Sequence, residues 1–214
     1  LISRSDARNE KGAQNKEYYE VDFSDSGIEV RGVTRDAVLN GVKTVVKVLR
    51  KNKQSGNLPK AEICDWPDFN HRGFMLDIAR NFTKAENIKK YIDKLAEYKL
   101  NFYQFHFTDD EGWRLEIPGL PELTEVASRR GTTDTESEFL SQYYAGNGNP
   151  DDLSTSANGY ISRDQFIELL RYADARGIRV APEIESPGHA RAAIIAMKAR
   201  YNKLKNSDPK AAEE

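Results

Sequence analysis

A single cysteine, Cys64, leaves the chain no internal disulfide and says little about redox compartment. Its expected place is that of a small buried hydrophobe near a strand end. No apolar run approaches the roughly 20 residues of a membrane span. A formal net charge of -2 gives no electrostatic reason to bind nucleic acid or an anionic membrane. No glycine-rich phosphate signature follows any strand, which counts against a nucleotide-binding open sheet. No signal peptide is visible at Leu1; a signal, if the parent protein has one, is expected to have been removed.

What is present is a globular composition, 38% hydrophobic and 31% charged, in 214 residues. That suffices for one large domain, or a medium one with a small companion. Leu1 to Lys16 is polar and aperiodic, and the chain stops in charged residues soon after a helix. It reads as a piece of something longer. Tyr18 to Phe23 alternates as a strand and Ile28 to Val33 as a second, with Ser24 to Gly27 as the turn between them. Thr34 or Asp36 caps a helix whose inner face is expected to be Val38, Val42, Val45, Val46 and Leu49. Lys60 to Cys64 is a short strand. Residues 1–67 thus form part of a small α+β domain.

From His71 the rhythm changes. Phe74 to Ile78 is a buried strand candidate. Thr83 and Glu86 suggest a capping box for a helix with Ile88, Tyr91, Ile92 and Leu95 inside. Asn101 to Thr108 is the next strand. A polar, glycine-containing segment runs from about Pro118 to Tyr160. Ser162 and Gln165 form a second capping box, and the helix they open buries Phe166, Leu169, Leu170 and Ala173 before Gly177. Ile178 to Ile184 is a third strand, and a helix follows from about His189 to Leu204. This β-α-β-α-β-α order is α/β, with a parallel sheet and outer helices. Residues 68–214 are expected to be the opening of a (β/α)8 TIM-type barrel, cut after its third unit, since a whole barrel takes about 250 residues.

Polar residues collect after each strand. Phe105-His106-Phe107-Thr108-Asp109-Asp110-Glu111-Gly112-Trp113-Arg114 passes from an aromatic strand into three carboxylates. Several unpaired carboxylates cannot enter a core cheaply, so they are expected at the strand's end, in a cleft or loop. They serve either as turn caps paired with Arg114 or lysines, or as part of a sugar site. Trp113 is a sugar-stacking wall or a packed lid. Arg80 is an ion-pair partner of Asp77 or Asp109, or a clamp on sugar hydroxyls. His189, oriented by Glu185 or Asp109, is a structural hydrogen-bonder or part of a catalytic relay. His71 and His106 are read as structural. A metal-dependent hydrolase using His106, His189, Asp109 and Glu185 is the less favoured alternative, since the first strand lacks the His-x-His pair common in metal-dependent barrels.

Three segments carry a resemblance: Arg72-Gly-Phe-Met-Leu-Asp-Ile-Ala-Arg80, His106-Phe-Thr-Asp-Asp-Glu-Gly-Trp-Arg114 and Pro182-Glu-Ile-Glu-Ser-Pro-Gly-His189. Together, and in this order, they resemble glycoside hydrolase family 20, the β-N-acetylhexosaminidases, over about His71 to Met197. Tyr18 to Pro67 resembles the end of the small domain that precedes the barrel in that family.

The resemblance implies hydrolysis of terminal β-linked N-acetylglucosamine or N-acetylgalactosamine with retention, the substrate's 2-acetamido oxygen acting as nucleophile. This differs from the usual pair of enzyme carboxylates. It assigns Arg80 to ring hydroxyls and Asp109 with His189 to a relay that tunes the catalytic Glu. Trp113 and Glu185 are assigned to the substrate, Glu185 standing where many relatives carry Asp. No metal and no cofactor is implied. The family's catalytic Asp-Glu pair lies in a Gly-Gly-Asp-Glu-like motif after the fourth strand. This chain has no such motif, and Asp110-Glu111 matches the second-strand motif instead. The chain alone is therefore expected to be inactive, prone to self-association through open barrel edges, and complemented by the remaining strands. An extracytoplasmic location (periplasmic, secreted or lysosomal) follows from resemblance alone. A non-catalytic carbohydrate-binding module is the other reading.

Overall fold

The computed structural model describes residues 14–54, 56, 58, 60–130 and 149–210. Most of the polar segment before Lys16, and residues 131–148 of the segment between Pro118 and Tyr160, lie outside the described residues. Two compact units emerge: residues up to Arg72 together with Lys94–Asn101, and Gly73–Asp93 together with Phe102 onward.

In the first unit, β1 (Tyr19–Ser24) is the middle strand of an antiparallel sheet, flanked by β2 (Gly27–Gly32) and β3 (Ala61–Asp65). Helix α1 (Arg35–Asn52) starts where the Thr34 side chain accepts from the Ala37 backbone N–H, so Thr34 rather than Asp36 is the cap. Tyr19, Val21, Phe23 and Ala37 form the core, with Val30, Val45, Val48 and Ile63 against it. The buried helix face differs from the expected one: Val42, Val46 and Leu49 are exposed, while Ala37, Asn40 and Gly41 are buried. The cause is close approach. A Cβ on Gly41 would lie 2.5 Å from Val30 Cγ1 and 3.1 Å from the Tyr19 ring. The helix therefore meets the sheet through its smallest residues with Val45 and Val48 beside them, while Val42, Val46 and Leu49 are turned out.

In the second unit, β4 (Gly73–Asp77), β5 (Phe102–His106) and β8 (Arg179–Glu183) form a parallel sheet in the order β4-β5-β8. Helix α2 (Ala85–Glu97) connects the first two strands, starting one residue later than a Thr83 cap implies. Helix α4 (Arg163–Asp174) leads into β8, and its Ser162–Gln165 capping box is present on both sides. Alternation along β5 sorts the side chains. Tyr103, Phe105 and Phe107 are buried in an aromatic row, with Phe166 of α4 packed edge-on to Phe107 at 5.2 Å between centroids. Gln104 and His106 point to the opposite face.

Two expectations for this unit fail. Phe74 and Met75 of β4 are exposed, because β4 is an outer strand with one neighbour. Tyr91 is also exposed, lying at the rim of α2 where its ring stacks on Phe74 at 6.1 Å. Beyond β5 the chain makes a tight hairpin, β6 (Thr108–Asp109) with β7 (Gly112–Trp113). A helical turn, α3 (Glu122–Glu125), and the last helix, α5 (Arg191–Leu204), pack on it through Trp113, Leu123, Ala127, Ala192 and Ala196. Helix α5 begins two residues later than expected, because His189 adopts left-handed backbone (φ 51°) and cannot start it. Among the described residues no helix is long and apolar enough to cross a membrane.

Candidate active site

The site begins with strand register. Asp77 of β4 pairs with His106 of β5, and His106 with Glu183 of β8. One ionisable residue from each parallel strand thus stands in a row at the carboxyl ends. Active sites of β/α folds lie at that end. The β6–β7 hairpin then folds its first acid back onto the row.

Asp109 is the hub. It is 2% exposed. One carboxylate oxygen lies 2.9 Å from His106 Nε2 and takes a 2.7 Å contact from an Arg80 guanidinium nitrogen. The other accepts from the Asp110 backbone N–H at 2.7 Å and lies 3.1 Å from His189 Nδ1. Burial alone would raise its pKa. That effect is outweighed by the Asp110 N–H, His106, Arg80 and His189, which together hold the carboxyl below the usual range. The expectation that the acids avoid the interior therefore holds only for unpaired ones. Asp109 is buried because four donors surround it.

Arg80 meets three carboxylates at once: Asp77 at 2.7 Å, Asp109 at 2.7 Å and Glu111 at 3.1 Å. Its side chain keeps 37% exposure, so one side of the guanidinium reaches solvent. Both readings of Arg80 are compatible with that geometry. His189 side chain is 57% exposed and also lies 3.4 Å from Asp110. Glu185 is not a partner of His189. Its carboxyl meets that of Glu183 and lies 3.9 Å from His106 Nδ1, and its backbone N–H donates to Thr108.

Trp113 takes the place of the packed lid, the second of its two readings. It is 8% exposed, its ring sits in the cluster with Leu123, Ala127, Ala192 and Ala196, and its Nε1–H donates to the Leu115 carbonyl at 2.6 Å. Antiparallel pairing with Thr108 turns it inward, so it packs the hairpin down.

Two residues have larger places than the sequence reading gave them. His106 joins Asp109 to Glu183, whose nearest oxygen is 3.4 Å from Nδ1. Burial pushes its pKa down, but Asp109, Asp77 and Glu183 outweigh that and hold it above the ordinary histidine value. The available signal was parity: His106 alternates with the aromatic residues of β5 and belongs to the other face. Arg114, expected to pair with surface acids, is 0% exposed. It donates to the carbonyls of Ala79, Ser128, Ala157 and Gly159 at 2.6 to 3.2 Å. Burial, with the nearby Arg130 charge, lowers its pKa to about 9 against the weaker opposing pull of Asp77 and Glu111. Gly112 makes room for it, since a Cβ there would lie 2.6 to 2.7 Å from the guanidinium.

The model of the Glycosyl hydrolase family 20 catalytic domain matches residues 69–214. The chain belongs to this family.

Among its relatives, the N,N'-diacetylchitobiase of Vibrio harveyi is 41% identical over 186 residues, covering 87% of this chain and 21% of that protein. Beta-hexosaminidase B of Pseudoalteromonas piscicida is 40% identical over 192 residues, covering 89% and 24%. A solved family 20 exo-β-N-acetylglucosaminidase from Vibrio harveyi, in complex with N-acetylglucosamine, superposes with a TM-score of 0.71. It shares 33% identity and covers 86% of this chain and 28% of that one. The chain thus spans about a fifth to a quarter of the length of these curated relatives. In this family 20 chain the polar contacts of the site come from the carboxyl ends of β4, β5 and β8, the segments that follow them, and the β6–β7 hairpin.

Proposed function

We propose that this chain is the substrate-holding and relay part of a β-N-acetylhexosaminidase. The observation that carries the reading is Asp109, a buried carboxylate joined at once to Arg80, His106 and His189. Membership of family 20 and relatives named as hexosaminidases support it.

In this reading residues 68–214 are the first three β/α units of a (β/α)8 barrel, and residues 1–67 are part of the small domain before it. Arg80, freed on its solvent side, holds ring hydroxyls of a terminal N-acetylhexosamine. Asp109 fixes the ring of His189, and His189 in turn raises the basicity balance of an acid-base Glu supplied after the fourth strand. An acid that protonates a glycosidic oxygen near neutral pH needs a raised pKa, and in this reading the hydrogen-bonded Asp109–His189 relay tunes it. Cleavage is retaining and substrate-assisted: the 2-acetamido oxygen attacks the anomeric carbon while the Glu protonates the leaving oxygen. Glu185 borders the site beside His106. No metal or cofactor enters this chemistry. An extracytoplasmic location goes with the family reading.

The test is hydrolysis of a chromogenic β-N-acetylglucosaminide. The 214-residue chain is compared with the same chain extended through the remaining strands. Activity in the extended protein alone supports the reading. Activity in the shorter chain refutes the placement of the acid, and Asp109, Asp110 and Glu111 become the residues to replace. Silence in both favours a carbohydrate-binding role. Light scattering of the shorter chain checks the accompanying expectation of self-association through the outer strands β4 and β8.

A further inference from the structure

We propose that His106, Glu183 and Glu185 form a binding site for one divalent transition-metal ion, with Zn²⁺ the best match, tying β5 to β8 beneath Asp109. The proposal does not depend on the glycosidase reading.

The donor atoms are already gathered. One ligand atom from each of the three residues lies within 4.8 Å of the others. His106 Nδ1 is 3.4 Å from a Glu183 oxygen and 3.9 Å from a Glu185 oxygen. Zinc bonds of about 2.0–2.2 Å in a tetrahedron put neighbouring ligands about 3.3–3.5 Å apart. The His106–Glu183 edge has that length, and Glu185 needs to close by about half an ångström.

The imidazole is presented as metal-binding histidines are. Its Nε2 faces buried Asp109 at 2.9 Å and its Nδ1 faces the two glutamates, so a metal would bind at Nδ1 by displacing the proton that the charged imidazole carries there, with Asp109 accepting from Nε2–H. A carboxylate behind a histidine fixes its tautomer and makes the free nitrogen a stronger ligand. One histidine with two carboxylates suits Zn²⁺ and its neighbours in the series better than Mg²⁺ or Ca²⁺.

Charge points the same way. Among the described residues neither Glu183 nor Glu185 is in an ion pair with lysine or arginine; Glu183 takes a hydrogen bond from Gln104, and both face His106. The two side chains are 30% and 29% exposed, which leaves an entry path and a fourth position for water. The neighbouring group of Asp109, Asp110 and His189 is a poorer cation site, because the Arg80 guanidinium is already 2.7 Å from Asp109.

The test is calorimetric titration of ZnCl₂ into the 214-residue chain in a non-chelating buffer. We expect one equivalent to bind. Glu183→Gln and Glu185→Gln each keep the side chain's shape and remove one charged ligand, and each should weaken binding by at least about tenfold. His189→Ala should leave it unchanged. Absence of binding in the unaltered chain overturns the proposal. So does binding that survives both glutamine variants, whether or not His189→Ala abolishes it. A measurement needing no variant gives a second check: on adding Zn²⁺ the ¹⁵N resonance of His106 Nδ1 should shift while Nε2 stays protonated. A shift confined to His189 or His71, or none, contradicts the site.

Discussion

Two arginines flank the same short stretch of backbone and meet opposite surroundings. Arg114 is fully buried, has only carbonyls as hydrogen-bond partners among the described residues, lies over the Phe82 ring, and holds the carbonyl of Ala79. Arg80, the next residue along, is partly exposed and faces only carboxylates. Both are cations in a polar cluster, but they differ in what is lost on removal. Taking away Arg114 leaves buried carbonyls without donors, an expensive defect. Taking away Arg80 leaves Asp77 and Glu111, which water partly satisfies, and Asp109, which keeps His106, His189 and the Asp110 N–H, a cheaper defect. One arginine builds the floor of the site and the other faces its mouth.

The most severe way to break that comparison is Arg114→Met. Four backbone carbonyls lose a donor, of which that of Ser128 keeps the Gly159 N–H, and we expect about 3–4 kcal/mol of lost stability, enough to unfold a marginal domain. Arg114→Lys should recover only part, since an ammonium lacks the planar fork that reaches several carbonyls at once. Urea denaturation followed by circular dichroism reads both. Arg80→Met should cost less, about 1–2 kcal/mol: its pairs with Asp77 and Glu111 are partly solvent-screened, and buried Asp109 keeps the Asp110 N–H, His106 and His189. In the extended protein, though, it should lower kcat/KM by about a hundredfold through lost charge-assisted hydrogen bonds to substrate. Equal stability losses for the two arginines would remove the contrast.

Trp113→Phe sharpens the same division. Packing against Leu123, Ala127 and Ala196 largely survives, while the hydrogen bond to Leu115 is lost. We expect about 1 kcal/mol of destabilisation and no change in KM. A raised KM with unchanged stability would return Trp113 to the sugar pocket. The smallest effect is in pH. Asp109 has a lowered pKa when folded, so its contribution is present above its unfolded value of about 3.9 and is lost as pH falls through the folded one. His106 has a raised pKa, so its contribution is full below about 6.5 and is lost as pH rises through the folded value. Stability from this pair should therefore peak between about pH 4 and 6.5. Urea midpoints measured from pH 3 to 9 check it; a profile flat across neutral pH would show that His106 is not held charged.

Much of this contrast lies outside what the sequence displays. The β-α-β-α-β order, the Ser162–Gln165 capping box and the three motifs are local patterns, and local patterns are what periodicity and spacing report. Arg80, Asp109 and His189 could be picked out because each follows a strand and carries charge. Trp113 and Arg114 sit in the same run, yet the burial of Arg114 depends on Ser128, Ala157 and Gly159, 14 to 45 residues away, and that of Trp113 on Leu123, Ala127, Ala192 and Ala196. No window of sequence contains that information. The exposed valines of α1 fail for a related reason: hydrophobic spacing marks a stripe, but the closest approach to the sheet is set by Ala37 and Gly41, small residues that carry little hydrophobic weight. Phe74 and Met75 read as buried because a strand's composition does not say whether it has one neighbour or two.

The most direct test of the Asp109 hub is a double-mutant cycle in the extended protein: kcat/KM for Asp109→Asn, His189→Gln and both together on a chromogenic β-N-acetylglucosaminide. If the two side chains act as one unit, each single replacement should cost about a hundredfold or more, and the double should cost little beyond the worse single. Losses that simply multiply would mean that Asp109 and His189 act independently, and the relay reading would be wrong.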